Sequence, residues 1–348
     1  VENAGLLTLN RDYVYDGIAL DLEQLFILHE CTDLAESLQP EVEHNIDAFM
    51  AMLSDGESPD VPPGEQCFTP YDCPYYAHCT RDLVFPEHPL TELPRINGPS
   101  IEQLTAVGVA EIPQVPEDFP LTQLQARVRE AVITGNEYLS ERRGNALQYA
   151  RYPISYLDFE TFMPANPRYT STRPYEAIPF QYSLHVEQAD GQIEHIEFLH
   201  EANTDPREPL TVALINALGE SGTICVYSGY EKQVTGALAR TFPQYADQMQ
   251  AILARLWDLL PVVREHYYHP DFHGSFSIKK VLPVLVPGLG YDNLAIQDGQ
   301  AAGLAYQTAL TGIDPAVSQM IFTDLKAYCS MDTEAMVRLR RALISKAD

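Results

Sequence analysis

Two acidic residues at the end of a predicted strand carry the clearest chemical signal in the sequence. They are Asp158 and Glu160, in the segment Ser155-Tyr-Leu-Asp-Phe-Glu-Thr161. Side chains alternate along a strand, so we expect both carboxylates on the same face. Carboxylates this close repel each other unless a cation lies between them, and oxygen ligands favour Mg²⁺ or Mn²⁺. A solvated strand end is the alternative interpretation.

A tyrosine and an aspartate near the end of the sequence form a second chemical pattern. Tyr328 and Asp332 are four residues apart in a predicted helix, which places both side chains on one helical face. Together with Asp158 and Glu160, they resemble the motifs of the DnaQ-like exonucleases of the ribonuclease H fold. The resemblance implies that the three acids bind two Mg²⁺ or Mn²⁺ ions. It also implies that Tyr328 is the catalytic residue that orients or activates the attacking water.

The same resemblance predicts a further acidic ligand after the fourth strand. The matching segment is Val226-Tyr-Ser-Gly-Tyr-Glu231, where the family usually has Asn-x-x-Phe-Asp. Glu231 is therefore the expected metal ligand, although glutamate reaches one methylene further than aspartate. Asp258 is the candidate supporting acid, and it is expected to ligate if Glu231 does not. An acid favoured by the dipole of a helix N-terminus is the alternative for Glu231.

Two lysines and two ring side chains are the candidates for substrate binding. The adjacent Lys279 and Lys280 are expected to steer backbone phosphates, and a solvated helix start is the alternative. Tyr182 and His185 are candidates for stacking on, or hydrogen bonding to, a terminal nucleotide, although core packing suits Tyr182 as well. The expected partners are the ends of single-stranded DNA or RNA.

Three cysteines with five residues between neighbours form a third group, Cys67, Cys73 and Cys79. Three thiols in a short Pro-rich segment are typical of metal ligation, with Cys31 or His78 as the fourth ligand. Three packed, reduced thiols are the alternative. The group resembles the cysteine-rich end of RecB-like nucleases, which implies a four-iron four-sulfur cluster. Zn²⁺ is the other expected occupant, and the site is incomplete if the fourth ligand is missing.

Length and composition limit the class of protein in which these groups lie. The chain has 348 residues, of which 45% are hydrophobic and 20% charged, so it has enough apolar residues for buried cores and is not largely disordered. Its net charge of −27 argues against a general duplex-coating protein, because such proteins neutralise phosphates with Lys and Arg. No apolar run approaches the ~20 residues of a membrane span, and residues 1–25 lack a signal pattern. We expect a cytoplasmic protein with no membrane partner.

The order of predicted elements favours an α/β fold. Strands are predicted at Ile154–Phe159, Pro179–Val186, Ile193–Leu199 and Ile224–Tyr227, and helices at Pro209–Leu218, Tyr230–Thr241, Tyr245–Leu256, Gly299–Leu310, Pro315–Tyr328 and Thr333–Ile344. Earlier in the chain, strands are predicted at Leu7–Tyr15 and Leu22–Cys31, and helices at Pro40–Leu53, from a Ser100 cap to Gly108, and at Leu121–Tyr149.

The whole chain resembles a bacterial family that joins a RecB-like cysteine-rich segment to a DnaQ-like domain. The resemblance implies a RecB-like remnant at 1–98, a helical connector at 99–150 and a DnaQ-like domain at 151–348. That domain is expected to have a ribonuclease H-like mixed sheet with flanking helices. The acidic-and-lysine motif of the RecB-like core has no counterpart in residues 1–98, so no nuclease activity is expected there.

The function predicted on these grounds is a metal-dependent 3′→5′ exonuclease that acts on DNA or RNA ends by two-metal phosphodiester hydrolysis. A non-catalytic nucleic-acid-binding or scaffold module with a degenerate metal site is one alternative, favoured by Glu231 and by the missing RecB-like core. A phosphodiesterase of small nucleotides is another alternative, and the acidity of the chain suits it.

Overall fold

The computed structural model describes residues 3–57, 59–312 and 314–346. These residues divide into two units, one running to Pro86 together with Thr170–Pro174, and the other formed by Glu87–Tyr169 and the chain from Tyr175 onward. The division into 1–98, 99–150 and 151–348 stays a prediction. Among the described residues, none of the helices has the length and apolar character that crossing a bilayer would require.

The first unit contains a two-stranded antiparallel sheet and one long helix. Its elements are β1 (Gly5–Leu9), α1 (Leu22–Leu25), β2 (Phe26–Glu30), α2 (Thr32–Asp55) and α3 (Tyr76–Cys79). The predicted strands Leu7–Tyr15 and Leu22–Cys31 therefore extend beyond the strands that the structure has. The predicted helix start at Pro40 is wrong, because α2 begins eight residues earlier and Pro40 lies inside it. A proline removes one backbone hydrogen bond, which the other turns of a long helix can tolerate.

The second unit begins with short elements. They are α4 (Gly98–Ala106), α5 (Gln123–Thr134), β3 (Tyr138–Leu139) and α6 (Arg143–Leu147). The predicted long helix over 121–149 is wrong, because the chain turns at Gly135, whose left-handed φ of 66° ends α5. The predicted cap Ser100 is also wrong. Asn97 caps α4, and its side chain accepts a hydrogen bond from the Ser100 amide.

A five-stranded mixed sheet forms the centre of the second unit. Its strands are β4 (Ile154–Phe162), β5 (Ile178–Glu187), β6 (Ile193–Leu199), β7 (Thr223–Val226) and β8 (Leu256–Asp258), in the order β6-β5-β4-β7-β8. β5 is antiparallel to β4 and β6, whereas β7 is parallel to both β4 and β8. The predicted α/β class is confirmed at this level. Strand β8 was not predicted, since three residues are too few to show an alternating pattern.

Helices cover both faces of this sheet. They are α7 (Arg207–Leu218), α8 (Tyr230–Thr241), α9 (Ala246–Arg255), α10 (Leu259–His266), α11 (Ile278–Leu285), α12 (Gly299–Ala309) and α13 (Pro315–Ser345), with β9 (Tyr267–Tyr268) pairing to β3. Leu157 and Phe159 pack in one core with α7, α8 and α9. Phe162 and Phe180 pack in another with α12 and α13.

The last helix is continuous where two helices were predicted. No proline or glycine separates Tyr328 from Thr333, so nothing in the backbone interrupts α13. Helices α10 and α11 were not predicted, and each is only eight residues long. A short helix gives too few turns for a clear 3.6-residue pattern. The single helix α13 therefore fixes its two halves in one rigid orientation relative to the sheet.

A buried ion pair fixes α13 to the sheet. Arg340 Nη1 donates to Glu187 Oε2 at 3.3 Å, and Tyr156 donates its hydroxyl to the same oxygen at 2.7 Å. Arg341 Nε donates to the other carboxylate oxygen at 2.9 Å. The side chains of Arg340 and Glu187 are only 5% and 4% exposed. Because β4 and β5 supply the partners, this network sets the position of α13 against both strands.

We expect Arg340→Met to lower the free energy of unfolding by about 3 kcal/mol, the lower end for breaking a buried pair, because Arg341 still contacts Glu187. The matched control is Arg338→Met on the same helix, whose pair with Glu334 is exposed and worth less than about 1 kcal/mol. Urea unfolding of both variants measures the difference. Equal losses in the two variants would contradict the assigned role.

Candidate metal centre

The strand β4 places Asp158 and Glu160 on one face of the sheet, as predicted from their spacing. Asp158 lies opposite Ser183 of β5, and Glu160 lies opposite Gln181. Glu160 is only 5% exposed, and it is held at the point where the β4–β5 register shifts. A bulge of this kind redirects side chains, and such irregularities are common next to functional sites.

The helix α13 brings three more side chains to these carboxylates. Tyr328, Cys329 and Asp332 lie within little more than one helical turn of one another. The Cys329 thiol points to Asp158, with 3.7 Å between Sγ and Oδ2. One ligand atom each from Asp158, Glu160 and Cys329 lie within 4.8 Å of one another. Cys329 was not predicted, and its position next to Tyr328 in the motif was the only signal for it.

Glu231 lies in the first turn of α8, directly after β7, and is 4% exposed. Ser228 donates its hydroxyl to Glu231 Oε2 at 3.3 Å. Burial, together with the negative charges of Asp258 and Asp332, raises the pKa of Glu231 to about 7. Asp258 itself caps α10 by accepting a hydrogen bond from the Leu260 amide at 2.9 Å. Glu231 is therefore the more deeply buried of the two candidate ligands.

Burial and mutual repulsion control the charge state of this group. Burial raises the pKa of Asp158 and of Glu160 well above the usual range, and the charge of Asp332 raises both further. Burial also raises the pKa of Asp332 to about 6. Asp158, Glu160, Glu231 and Asp332, called the acid cluster below, therefore bind protons at higher pH than ordinary carboxylates when no cation is bound. A bound cation would offset the negative charges, so the carboxylates could stay ionised.

Two tyrosines and a lysine border the acid cluster. Tyr291 donates its hydroxyl to Asp332 Oδ1 at 2.6 Å, and the neighbouring Tyr328 hydroxyl lowers the pKa of the same carboxyl group. Lys279 Nζ donates to the Tyr328 hydroxyl at 3.2 Å and lies 5.1 Å from the centroid of each tyrosine ring. The Lys279 ammonium also offsets the rise in the pKa of Glu160. Tyr291 was not predicted, since no motif includes it.

The other predicted substrate-binding residues lie in different environments. Lys280 is exposed on α11. Tyr182 is buried on the opposite face of the sheet from Asp158, and its ring stacks on Phe198. His185 hydrogen bonds to Thr333 of α13 at 2.8 Å, and burial lowers its pKa to about 4. Of the four candidates, the fold brings Lys279 into contact with Tyr328 at the acid cluster.

The donor set suits a hard divalent cation. Four carboxylates offer oxygen ligands, which Mg²⁺ and Mn²⁺ prefer. Burial and the neighbouring carboxylates raise the pKa of the Cys329 thiol well above its usual range, so this thiol stays protonated and is a poor metal ligand. These acidic groups are therefore able to bind a metal ion through oxygen.

The cysteines of the first unit differ from one another in exposure. Cys67 is buried, Cys31 and Cys73 are partly exposed, and Cys79 is exposed. In the described part of the chain, they do not form a group of three ligand atoms within 4.8 Å, which a single Zn²⁺ ion requires. Arg81 hydrogen bonds to the ring of His78, the other candidate fourth ligand. A four-iron cluster separates its ligands more widely, so that occupant stays a prediction.

Comparison with known proteins gives one match. Residues 155–277 are similar to a family described as Domain of unknown function (DUF2779). The match covers Asp158, Glu160, Glu231 and Asp258, and it ends before Tyr328 and Asp332. No RecB-like or DnaQ-like family model matched the chain. The comparisons with curated proteins and with solved structures also found no match.

We expect Glu160→Gln to raise the melting temperature of the metal-free protein. In the folded protein, the pKa values of these acids lie above their usual values, so stability falls as pH rises from about 4.5 through about 7. Glu160→Gln removes one of these acids, so the variant loses less stability as the pH rises. The gain over the parent should therefore be larger at pH 8 than at pH 5, measured by calorimetry in a chelator.

The matched control for this prediction is Glu220→Gln, which removes an equal charge from an exposed position. It should leave the melting temperature unchanged at both pH values. Added Mn²⁺ should stabilise the parent and this control more than Glu160→Gln, since a ligand that binds only the folded state raises its stability. A Glu160→Gln gain that is the same at pH 5 and pH 8 would contradict repulsion as the cause.

Proposed function

We propose that this protein is a metal-dependent nuclease that removes nucleotides from the 3′ ends of single-stranded DNA or RNA. The observation that carries the proposal is the acid cluster, in which three separate segments bring Asp158, Glu160, Glu231 and Asp332 together, the two glutamates buried and the two aspartates partly buried. Such burial of like charges is costly, and strongly raised carboxylate pKa values cluster at functional sites. We further propose that the mixed sheet belongs to the ribonuclease H-like, DnaQ-like class.

The acid cluster would hold Mg²⁺ or Mn²⁺ through its carboxylate oxygens. When bound, two such ions stabilise the charge that develops on the attacking and leaving oxygens of a phosphodiester. Asp158 and Glu160 would be the ligands from β4, Asp332 the ligand from α13, and Glu231 the ligand from α8. The partial burial of Asp258 and its capping bond to Leu260 leave it in a supporting role.

Tyr328 positions the attacking water in this proposal. Burial and the charges of Asp332 and Glu160 raise the pKa of its phenol well above the usual value. The hydroxyl therefore stays protonated and acts by hydrogen bonding rather than as a base. The hydrogen bond from Lys279 holds the Tyr328 hydroxyl in place, and the Lys279 ammonium would attract a substrate phosphate.

A cavity in the second unit, whose lining shares chain segments with the acid cluster but includes none of its four acids, suits binding of a nucleic-acid strand. It has a volume of about 650 Å³, and its lining includes Arg95, Arg264, Tyr227 and Phe276. Tyr227 directly follows β7, which leads to Glu231, and Ser277 and Ile278 of the lining precede Lys279. Arginine and aromatic side chains are the residues that bind phosphates and stack on bases.

The runner-up function is a non-catalytic nucleic-acid-binding module. Glu231 favours it, because it stands where the DnaQ-like family usually has an aspartate. The Tyr291 hydroxyl also donates to the carboxylate of Asp332 and competes with a cation for that oxygen. Calorimetric titration with Mn²⁺ separates the two functions, since a nuclease must bind the ion in the concentration range in which it cleaves.

We expect Asp158→Ala to abolish Mn²⁺-dependent cleavage of a labelled single strand while the protein stays folded. Removing one carboxylate relieves repulsion in the metal-free cluster, so the melting temperature in a chelator should not fall. Asp118→Ala, at an exposed loop position, is the control and should cleave like the parent. Equal activity of Asp158→Ala and the parent would overturn the assignment of this site.

We expect Tyr328→Phe to reduce turnover by ~10²–10⁴-fold, the usual contribution of a positioned acid–base group. Tyr291→Phe is the matched control, because it removes the neighbouring hydroxyl, which donates to Asp332, and leaves the ring in place. It should reduce turnover far less, and both variants should bind Mn²⁺. Equal reductions would show that both tyrosines act by positioning Asp332, and unchanged turnover would make Tyr328 a packing residue.

A further inference from the structure

A second group of metal-ligating side chains lies away from the acid cluster, in the second unit. His88 and Glu92 are one turn apart in the chain, and His273 comes from the loop after β9. His88 Nδ1 lies 2.8 Å from Glu92 Oε2, and His273 Nδ1 lies 2.8 Å from Glu92 Oε1. The two rings are nearly parallel, with centroids 5.3 Å apart. One ligand atom from each of the three residues lies within 4.8 Å of the others.

The backbone around this group is built to hold it together. His273 has a left-handed φ of 49°, which is unusual for a residue with a side chain. Gly274 has a φ of 73°, and a Cβ there would overlap the carbonyl oxygen of Glu92. The buried rings of Phe272 and Phe276 anchor the loop on both sides. Unfavourable backbone conformations persist only where the surroundings enforce them, and they concentrate at functional sites.

We infer that His88, Glu92 and His273 form a binding site for a divalent transition-metal ion of the Zn²⁺ class. Two imidazole nitrogens and one carboxylate are a common ligand set for such ions, with solvent in the fourth position. Metal–ligand distances of ~2.0–2.2 Å place neighbouring ligand atoms about 3.3 Å apart. The two histidine nitrogens each lie 2.8 Å from a different oxygen of Glu92, about 0.5 Å less than this spacing. A bound ion would therefore replace two hydrogen bonds after shifts of that order. His273 is half-exposed, which leaves a path from solvent.

The ligand chemistry separates this site from the acid cluster. The acid cluster offers oxygen atoms for hard cations, whereas imidazole nitrogen favours Zn²⁺, Co²⁺ and Ni²⁺. The ion would join two walls of the cavity described above, because Glu92 precedes Pro94 and Arg95, and His273 precedes Gly274. Its expected role is to hold these walls together, and this role does not depend on the proposed nuclease activity.

The test uses the full chain, stripped of metal and kept in excess Mg²⁺ so that oxygen-rich sites are filled. Co²⁺ is then titrated, and the visible absorption of the bound ion is followed, with Zn²⁺ added as competitor. We expect one Co²⁺ with a nitrogen–oxygen spectrum, displaced by Zn²⁺. His273→Gln and His88→Gln should each weaken Co²⁺ binding at least tenfold. His269→Gln is the matched control, since this ring lies in the same loop and contacts Asp271 instead.

Three results would overturn the inference. One is Co²⁺ binding by His273→Gln that is as tight as in the parent. Another is an intense sulfur-to-metal absorption band from the single bound ion, which would assign it to the cysteines. The third is a pair of melting results: the parent gains no melting temperature from Zn²⁺, and His273→Gln melts lower than the parent without metal. The three side chains would then serve only as a hydrogen-bonded link. Because each readout is a metal-binding or melting measurement, loss of the nuclease proposal would leave this test unaffected.

Discussion

The repulsion among four carboxylates, two of them buried and two partly buried, is the constraint around which the second unit is built. Asp158 and Glu160 alone, on one strand, would already oppose each other, and Asp332 and Glu231 add to this charge. Such an arrangement is unfavourable for a fold that uses these residues only for packing, since buried carboxylates cost free energy unless they are paired or protonated. The surrounding hydrogen bonds from Tyr291 and Ser228 reduce this cost only in part.

The remainder of the unit supplies the stability that offsets this cost. The two apolar cores on either face of the sheet hold β4 in place between β5 and β7. The pair between Arg340 and Glu187 lies on the same long helix as Asp332, and through Tyr156 it reaches the strand that carries Asp158 and Glu160. A rigid helix transmits position along its length, so the ion pair at its C-terminal end fixes the distance between Asp158 and Asp332.

The second unit contains two candidate cation sites that differ in ligand chemistry. The acid cluster presents carboxylate oxygens at the sheet, and the group of His88, Glu92 and His273 presents two imidazoles and one carboxylate. The cavity shares chain segments with both places, and it contains arginines in a protein of net charge −27. A local concentration of positive charge in an acidic protein directs an anionic ligand to one region of its surface.

The sequence by itself determined the α/β class, the positions of β5, β6 and α8 within a residue or two, and the shared face of Asp158 and Glu160. These features depend on local periodicity, which neighbouring residues carry. Helix α5, by contrast, is far shorter than its apolar pattern suggested, because Gly135 ends it. Only the tertiary structure decided that Tyr291, Cys329 and Lys279 lie together, that Tyr182 faces the opposite core, and that His273 meets Glu92. Such contacts join residues far apart in sequence, and their geometry follows from packing and loop conformation, which leave no repeating pattern in the chain.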